Sequence, residues 1–497
     1  MGGHRVFAHY GCVHNELVSL KGRVLGPVPL PTAVGLDALR AQAKRISRLI
    51  GRLSPWSLQR VVEHYSGAKR ARYQRALVDL HSHGFHRRHA RVKAFVKFEK
   101  IAFTDDKINP DPRMIQWRHP VYGLCLAQYT KPIEHALYRL VGKGKILPPF
   151  RCIGKGLSSP ERAMLARKMW CSFDNPVCFT LDASRFDQHC SRELLQIEHA
   201  IYARAIPELE FQRLLSYQLD NRGTTSAGIR YKARGKRMSG DMNTALGNCV
   251  LMVLMVSAAM RGKKYAILDD GDDILLFTER KLEPWVRGNL KEIFLTYGHK
   301  LKLEGVYHSF PSIVWCQSSP IHYAPGKWKF VRHWQSVMMK AIGGTKYFNA
   351  TTRPRLVKTV GLAELILNLG VPVLQEYALA LLRNAGGNTK TLHLDSSDSY
   401  YYRVGREMKH FRNQDWVEKV SQGKFEGSLP TRPIHPEARW SFYLAFGVSI
   451  TEQVHMERLL RGWSFPMGGC VDQVEQIDVA RWQQRWVYAP DVTPLWE

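Results

Sequence analysis

Between Val177 and Phe277 the hydrophobic and polar positions switch between two periods. Val177, Phe179 and Leu181 alternate with Cys178, Thr180 and Asp182, the period of a half-buried strand whose C-terminal end carries Asp182. Further on, the apolar runs Tyr265 to Leu268 and Ile274 to Phe277 flank Asp270-Gly271. An Asp-Gly step between such runs is a strong hairpin signal, so a β-hairpin with an acidic tip is predicted. A helical stretch from Thr244 to about Met255 lies between these strands and follows the turn-like Ser239-Gly240. Beyond Ala324 the pattern is mostly helical, as in Leu362 to Leu369 and Leu374 to Leu382, with breaks at Gly370, Pro372 and Gly386-Gly387. No fixed-period repeat or low-complexity tract interrupts this, which points to a compact enzyme rather than a solenoid or a disordered scaffold.

Composition adds a partner class. The 497 residues carry a formal charge of +29, spread along the chain, and a polyanion such as nucleic acid is the natural counterpart. Lys69, Arg70, Arg72 and Arg75, then Arg87, Arg88, Arg91 and Lys93, read equally well as a nucleic-acid path or a solvated basic face. Nine cysteines with no C-x-x-C pair argue against a disulfide framework or a clustered zinc site. The longest apolar run, Cys249 to Met260, is shorter than the roughly 20 residues a spanning helix needs. Membrane attachment is therefore expected through a partner, a basic surface or sequence outside this chain.

The chemistry lies in the acidic tip, Asp269-Asp270-Gly271-Asp272-Asp273, which places four carboxylates within five residues. Two carboxylates about 4 Å apart repel by roughly 4 kcal/mol at an effective dielectric of 20, so the cluster calls for a cation. Taken alone it reads as a solvated turn. A second acidic element, Asp182-Ala183-Ser184-Arg185-Phe186-Asp187, begins at a strand end. Pairing of the two strands would set Asp182 against Asp272 and Asp273, an oxygen-rich set suited to Mg²⁺ with room for substrate phosphates. The third element, Ser239-Gly240-Asp241-Met242-Asn243-Thr244-Ala245-Leu246-Gly247-Asn248, puts Thr244 and Asn248 on one helix face. By itself that pair is a capping or packing feature.

With these three elements in this order and spacing, the chain resembles the RNA polymerases of tombusviruses and their relatives, including umbraviruses and luteoviruses. The resemblance extends to Gly11-Cys12-Val13-His14-Asn15-Glu16, to Tyr65-Ser66-Gly67-Ala68-Lys69-Arg70, and to the stretch from Ala438 to Gly447. It implies an α+β right-hand fold. Fingers with an N-terminal extension would occupy residues 1–175 and an antiparallel palm 176–324, with 191–237 an inserted fingers segment; a mostly helical thumb would occupy 325–497. Asp182, Asp272 and Asp273 would hold two divalent ions, Mg²⁺ or Mn²⁺, and Lys302 would be the general acid for pyrophosphate, with Lys300 close behind. Asp187, Ser239, Thr244 and Asn248 would form the nucleotide-sensing set, and Lys107, Arg113 and Arg118 the basic nucleotide-entry motif. Trp315-Cys316-Gln317-Ser318 looks like the palm–thumb hairpin.

Asp270 departs from the family pattern, since relatives often carry a smaller or uncharged residue there; Asp269 and Asp270 read as turn formers or outer groups. The implied partners are viral RNA template and product, nucleoside triphosphates, a membrane-associated viral replication protein and host factors. The implied location is the host cytoplasm at membrane-associated replication complexes, with de novo initiation. Tyr400-Tyr401-Tyr402 reads as packing and surface, or as a stack for an initiating base. A basic RNA-binding protein without catalysis is the alternative from another class; the ordered acidic elements discriminate, because negative charge at strand ends would oppose RNA in a pure binder. A reverse transcriptase would share the paired aspartates, and the set of Asp187, Ser239 and Asn248 favours ribonucleotides over it.

Overall fold

The computed structural model describes residues 6–99, 101–102, 110–341, 350–392, 407, 415–465 and 475–477. Lys107 and Tyr400 to Tyr402, singled out from the sequence, lie outside these residues. The strands are β1 (Val6–His9), β2 (Val92–Val96), β3 (Ile101–Ala102), β4 (Met114–Arg118), β5 (Pro176–Ala183), β6 (Asp220–Thr225), β7 (Arg230–Arg234), β8 (Tyr265–Asp269), β9 (Asp273–Glu279), β10 (Leu301–Tyr307), β11 (Ser318–Ala324), β12 (Lys327–Arg332) and β13 (Glu475–Ile477). Before β5 come helices α1 (Val13–Leu20), α2 (Ala33–Ile50), α3 (Leu58–Glu63), α4 (Gly67–His83), α5 (Pro120–Arg139) and α6 (Ser159–Trp170). After it come α7 (Phe186–His189), α8 (Arg192–Ala205), α9 (Leu209–Ser216), α10 (Thr244–Ala259), α11 (Glu283–Thr296), α12 (Trp334–Ala341), α13 (Thr352–Asn368) and α14 (Leu374–Ala385). Helices at Asp415–Gln422, Pro436–Phe446 and Ile450–Gly462 follow, so the helical reading beyond Ala324 holds once the β11–β12 hairpin is passed.

The centre is a four-stranded antiparallel sheet in the order β10-β5-β9-β8. The alternation along β5 predicts one wet face, and here the structure differs. Val177, Phe179 and Leu181 enter the main core with α10, while Cys178 packs on the other face against Ala163, Ala166 and Met169 of α6. Thr180 is buried too. Cysteine and threonine are small enough to pack under a helix, and only tertiary contact reveals the helix above them. Helix α10 is apolar on all sides and buried over nearly its whole length, running past the predicted end at Met255 to Ala259.

A second sheet, β4-β2-β6-β7, mixes antiparallel pairs with a parallel β2–β6 pair. Its inner face of Val92, Ala94, Met114, Tyr231 and Ala233 packs on Leu20 and Val24. A small sheet β13-β1-β3 joins strands from far apart in the chain. Beyond β12, α13 and α14 pack closely at Gly361, where a Cβ would meet Leu381 Cβ at 3.0 Å.

Candidate active site

Strand register builds the site. Asp182 on β5 lies directly opposite Asp273 on β9, and on its other side directly opposite Lys302 on β10. Side chains of directly opposed residues share a face, with Cβ atoms about 4.5–5.5 Å apart, so Asp273, Asp182 and Lys302 form a row across three strands. The tip of the β8–β9 hairpin turns at Gly271, whose φ of +105° suits glycine. Asp272 follows, exposed, and its carbonyl accepts the Ala183 N–H at 3.3 Å, fastening the tip to the end of β5. Burial, then the charges of Asp272, Asp182 and Glu304, push the Asp273 carboxyl up to about 7. Among the described residues the Asp272 and Asp273 carboxylates have no ion-pair partner. An all-oxygen donor set under mutual repulsion is what hard divalent cations take, so these residues fit Mg²⁺ or Mn²⁺.

The other two carboxylates of the hairpin have different surroundings. Asp269 is fully buried; one carboxylate oxygen accepts the Gly271 N–H at 3.2 Å, and burial raises its pKa well above the usual carboxylate range. Asp270 pairs with Lys155 and, at 2.6 Å, with Arg162. Burial opposes its charge, but these two cations outweigh burial and hold the carboxyl below its ordinary value.

Beside the row, Asn248 on α10 donates to Asp187 Oδ1 at 2.9 Å. Burial raises the Asp187 pKa, the Asn248 hydrogen bond and Arg237 counter that, and Asp272 reinforces it. Asn248 Oδ1 is buried without a hydrogen-bond partner, an acceptor left open next to Asp187. Ser239 and Thr244 make a different set of contacts. The Ser239 hydroxyl donates to Met114 O at 2.9 Å and accepts the Gln116 N–H at 3.1 Å, tying its loop to β4. Thr244 Oγ1 bonds Met238 O at 2.8 Å and Asp241 O at 3.0 Å, closing the turn ahead of α10. Arg113 is exposed, 3.7 Å from Glu99. Arg118 is buried, bonded to Asp241 at 2.7 Å, to Ala90 O at 2.5 Å and to Asn221, so its guanidinium is committed within the protein.

Sequence reasoning passed over Lys155, Arg162 and Glu304 as site residues. The run Ser158 to Glu161 was the available signal for the first two: it forms a capping box that starts α6 beside the hairpin. Elsewhere, Asp79, His89 and His119 bring ligand atoms within 4.8 Å of one another. There the backbone N–H groups of His86 and Val121 donate to Nδ1 of His89 (3.2 Å) and His119 (3.4 Å). That leaves the proton of each neutral ring on Nε2, the reverse of the usual metal-ligand histidine, whose second nitrogen donates.

Residues 15–467 match the family described as viral RNA dependent RNA polymerase. The chain belongs to that family. It is 35% identical over 485 residues to the RNA-directed RNA polymerase of Groundnut rosette virus (strain MC1), covering 93% of this chain and 54% of that protein. The RNA-directed RNA polymerases of Tobacco necrosis virus (strain D) and Turnip crinkle virus are 32% and 33% identical, over 89% and 87% of this chain and 59% and 54% of theirs. The chain thus spans a little over half the length of these viral polymerases. No helix among the described residues is long and apolar enough to cross a membrane.

Proposed function

We propose that the chain is the catalytic core of an RNA-directed RNA polymerase that copies a positive-strand RNA genome by nucleotidyl transfer from nucleoside triphosphates. The observation that carries this reading is the row of Asp273, Asp182 and Lys302, with Asp272 at the hairpin tip, in a chain of the viral polymerase family. In right-hand terms the central sheet is the palm of 176–324, the second sheet and its helices belong to the fingers of 1–175 with the inserted 191–237, and 325–497 is the thumb. Asp182 and Asp272 would hold two divalent ions with Asp273 assisting; the ions would lower the pKa of the primer 3′-hydroxyl and neutralise the leaving pyrophosphate.

Lys302, opposite Asp182, delivers the proton to pyrophosphate, and Arg113, exposed, grips the incoming triphosphate with Lys107. Asp187 and Asn248 read the ribose 2′-hydroxyl, which can donate to the open Asn248 Oδ1; a deoxyribonucleotide leaves that buried acceptor unpaired. Ser239, Thr244 and Arg118 serve the same site indirectly, holding the loop and strand that carry it. Initiation is de novo. Replication takes place in the host cytoplasm with a membrane-associated viral replication protein and host factors as partners.

The test is template-dependent incorporation of labelled ribonucleotides on single-stranded RNA with Mg²⁺ or Mn²⁺, comparing the wild type with Asp272→Ala. Product from the wild type alone supports the reading. Equal product from both removes the metal assignment, and RNA binding without product, even when the replication protein is supplied, favours a basic RNA-binding protein.

A further inference from the structure

We infer that Lys155 and Arg162 are positioning residues for the ion-binding end of the β8–β9 hairpin and act on it through Asp270. This rests on the reading of Asp182, Asp272 and Asp273 as ion ligands.

The segment leading into α6 lies along β8 as an added edge. Ile153 bridges Asp269 in parallel, Gly154 N–H donates to Asp269 O at 2.8 Å, and Asp269 N–H donates to Cys152 O at 2.8 Å. From that edge Lys155 reaches over the turn, donating to the Asp270 carbonyl at 3.0 Å and also to its carboxylate. Arg162, one turn into α6, takes the other carboxylate oxygen at 2.6 Å and donates through Nε to Gly154 O at 3.2 Å. Its guanidinium lies 5.3 Å from the Trp315 ring centroid, and the Trp315 indole N–H donates to Asp273 O at 3.3 Å. One cation therefore meets both flanks of the tip: the residue before Gly271 directly, and the residue after Asp272 through an aromatic ring.

Packing alone does not impose this arrangement. A cavity of about 270 Å³ adjoins the ion pairs, lined in part by Lys155, Arg162, Asp270, Trp315 and Cys316, so Asp270 has room to move and charge keeps it in place. Asp270 N–H in turn donates to Asp273 O at 2.9 Å, closing the turn. Release of Asp270 lets the Gly271–Asp273 backbone shift, and with it the carboxylates of Asp272 and Asp273. Groups that hold metal ligands from behind typically contribute about 10- to 100-fold to ion affinity.

The experiment is Mn²⁺ binding to the whole chain without RNA or nucleotide, followed by electron paramagnetic resonance or calorimetry, with a thermal melt for each variant. Asp270→Asn and Lys155→Met should each weaken Mn²⁺ binding about tenfold or more, with Lys155→Arg recovering most of it. Arg162→Lys keeps the charge and loses the fork between Asp270 and Trp315; it should weaken binding by a smaller factor even if the stronger variants unfold. Lowered melting temperatures with an unchanged Mn²⁺ constant in the folded variants would overturn the inference and leave the metal site standing. If Asp272→Ala binds Mn²⁺ as the wild type does, the underlying metal reading fails, and this inference with it.

Discussion

One hairpin carries two pairs of carboxylates with opposite surroundings. Asp269 and Asp270 lie behind the turn; the first is buried with its pKa raised, the second is held charged by Lys155 and Arg162. Asp272 and Asp273 lie on the far side of Gly271, the second beside the charges of Asp272, Asp182 and Glu304, and none of the described cations forms an ion pair with either. Identical side chains within five residues thus divide by charge balance. Asp270 already has its cations and is part of the scaffold, whereas the Asp272 and Asp273 carboxylates, which form no ion pair among the described residues, offer an ion its oxygens.

The sharpest way to break that comparison is to empty each side in turn. Asp272→Ala should lower ribonucleotide incorporation by about 10³-fold or more, because several kcal/mol of charge stabilisation in the transition state goes with the ion. A filter-binding assay on the same variant should find RNA affinity nearly unchanged. The cation in the row comes next: Lys302→Met should slow single-turnover incorporation by about 10²-fold with little change in nucleotide affinity, as loss of a general acid does. An unchanged rate would reassign the proton to Lys300 or to solvent.

A smaller effect belongs to the neighbouring pair. Asn248→Asp sets a second carboxylate beside Asp187 and removes the Nδ2 donor, so the preference for ribo- over deoxyribonucleotides should shrink by about tenfold in competition assays. The smallest effect on activity is expected behind the turn, where Asp269→Asn replaces a carboxyl whose pKa burial raises with an amide of the same shape. At low pH the melting temperatures of wild type and variant should nearly coincide. Above about pH 4 the unfolded chain releases this proton while the raised pKa favours its retention in the native state, so this group lowers wild-type stability as pH rises, until the native carboxyl itself ionises. The variant lacks this loss, and its relative stability should grow across that window. A constant difference from pH 4 to 7 would mean that Asp269 is charged in the native protein.

Local pattern was a good guide wherever one element sufficed. The strand ending at Asp182, the Asp-Gly hairpin and the helix beginning at Thr244 are each where periodicity and turn chemistry put them. It was a poor guide to what covers an element: β5 reads as half-buried and is buried on both faces, because α6 folds back over it. Arg118 belongs to the basic nucleotide-entry motif that the resemblance implies, and only the structure reveals that it is buried against Asp241 and Asn221.

What the sequence determined by itself was therefore the set of local elements and the acidic residues at their ends, since both follow from side-chain period and turn preference over a few residues. Tertiary structure alone decided that Asp182 stands between Asp273 and Lys302, that Asp187 meets Asn248, and that Asp270 is neutralised from α6. Those contacts join positions tens of residues apart, and a register shift of a single residue would turn every side chain of a strand to the other face. No local signal carries that register; it is set by how the apolar faces of β5, β9 and β10 fit the helices that cover them.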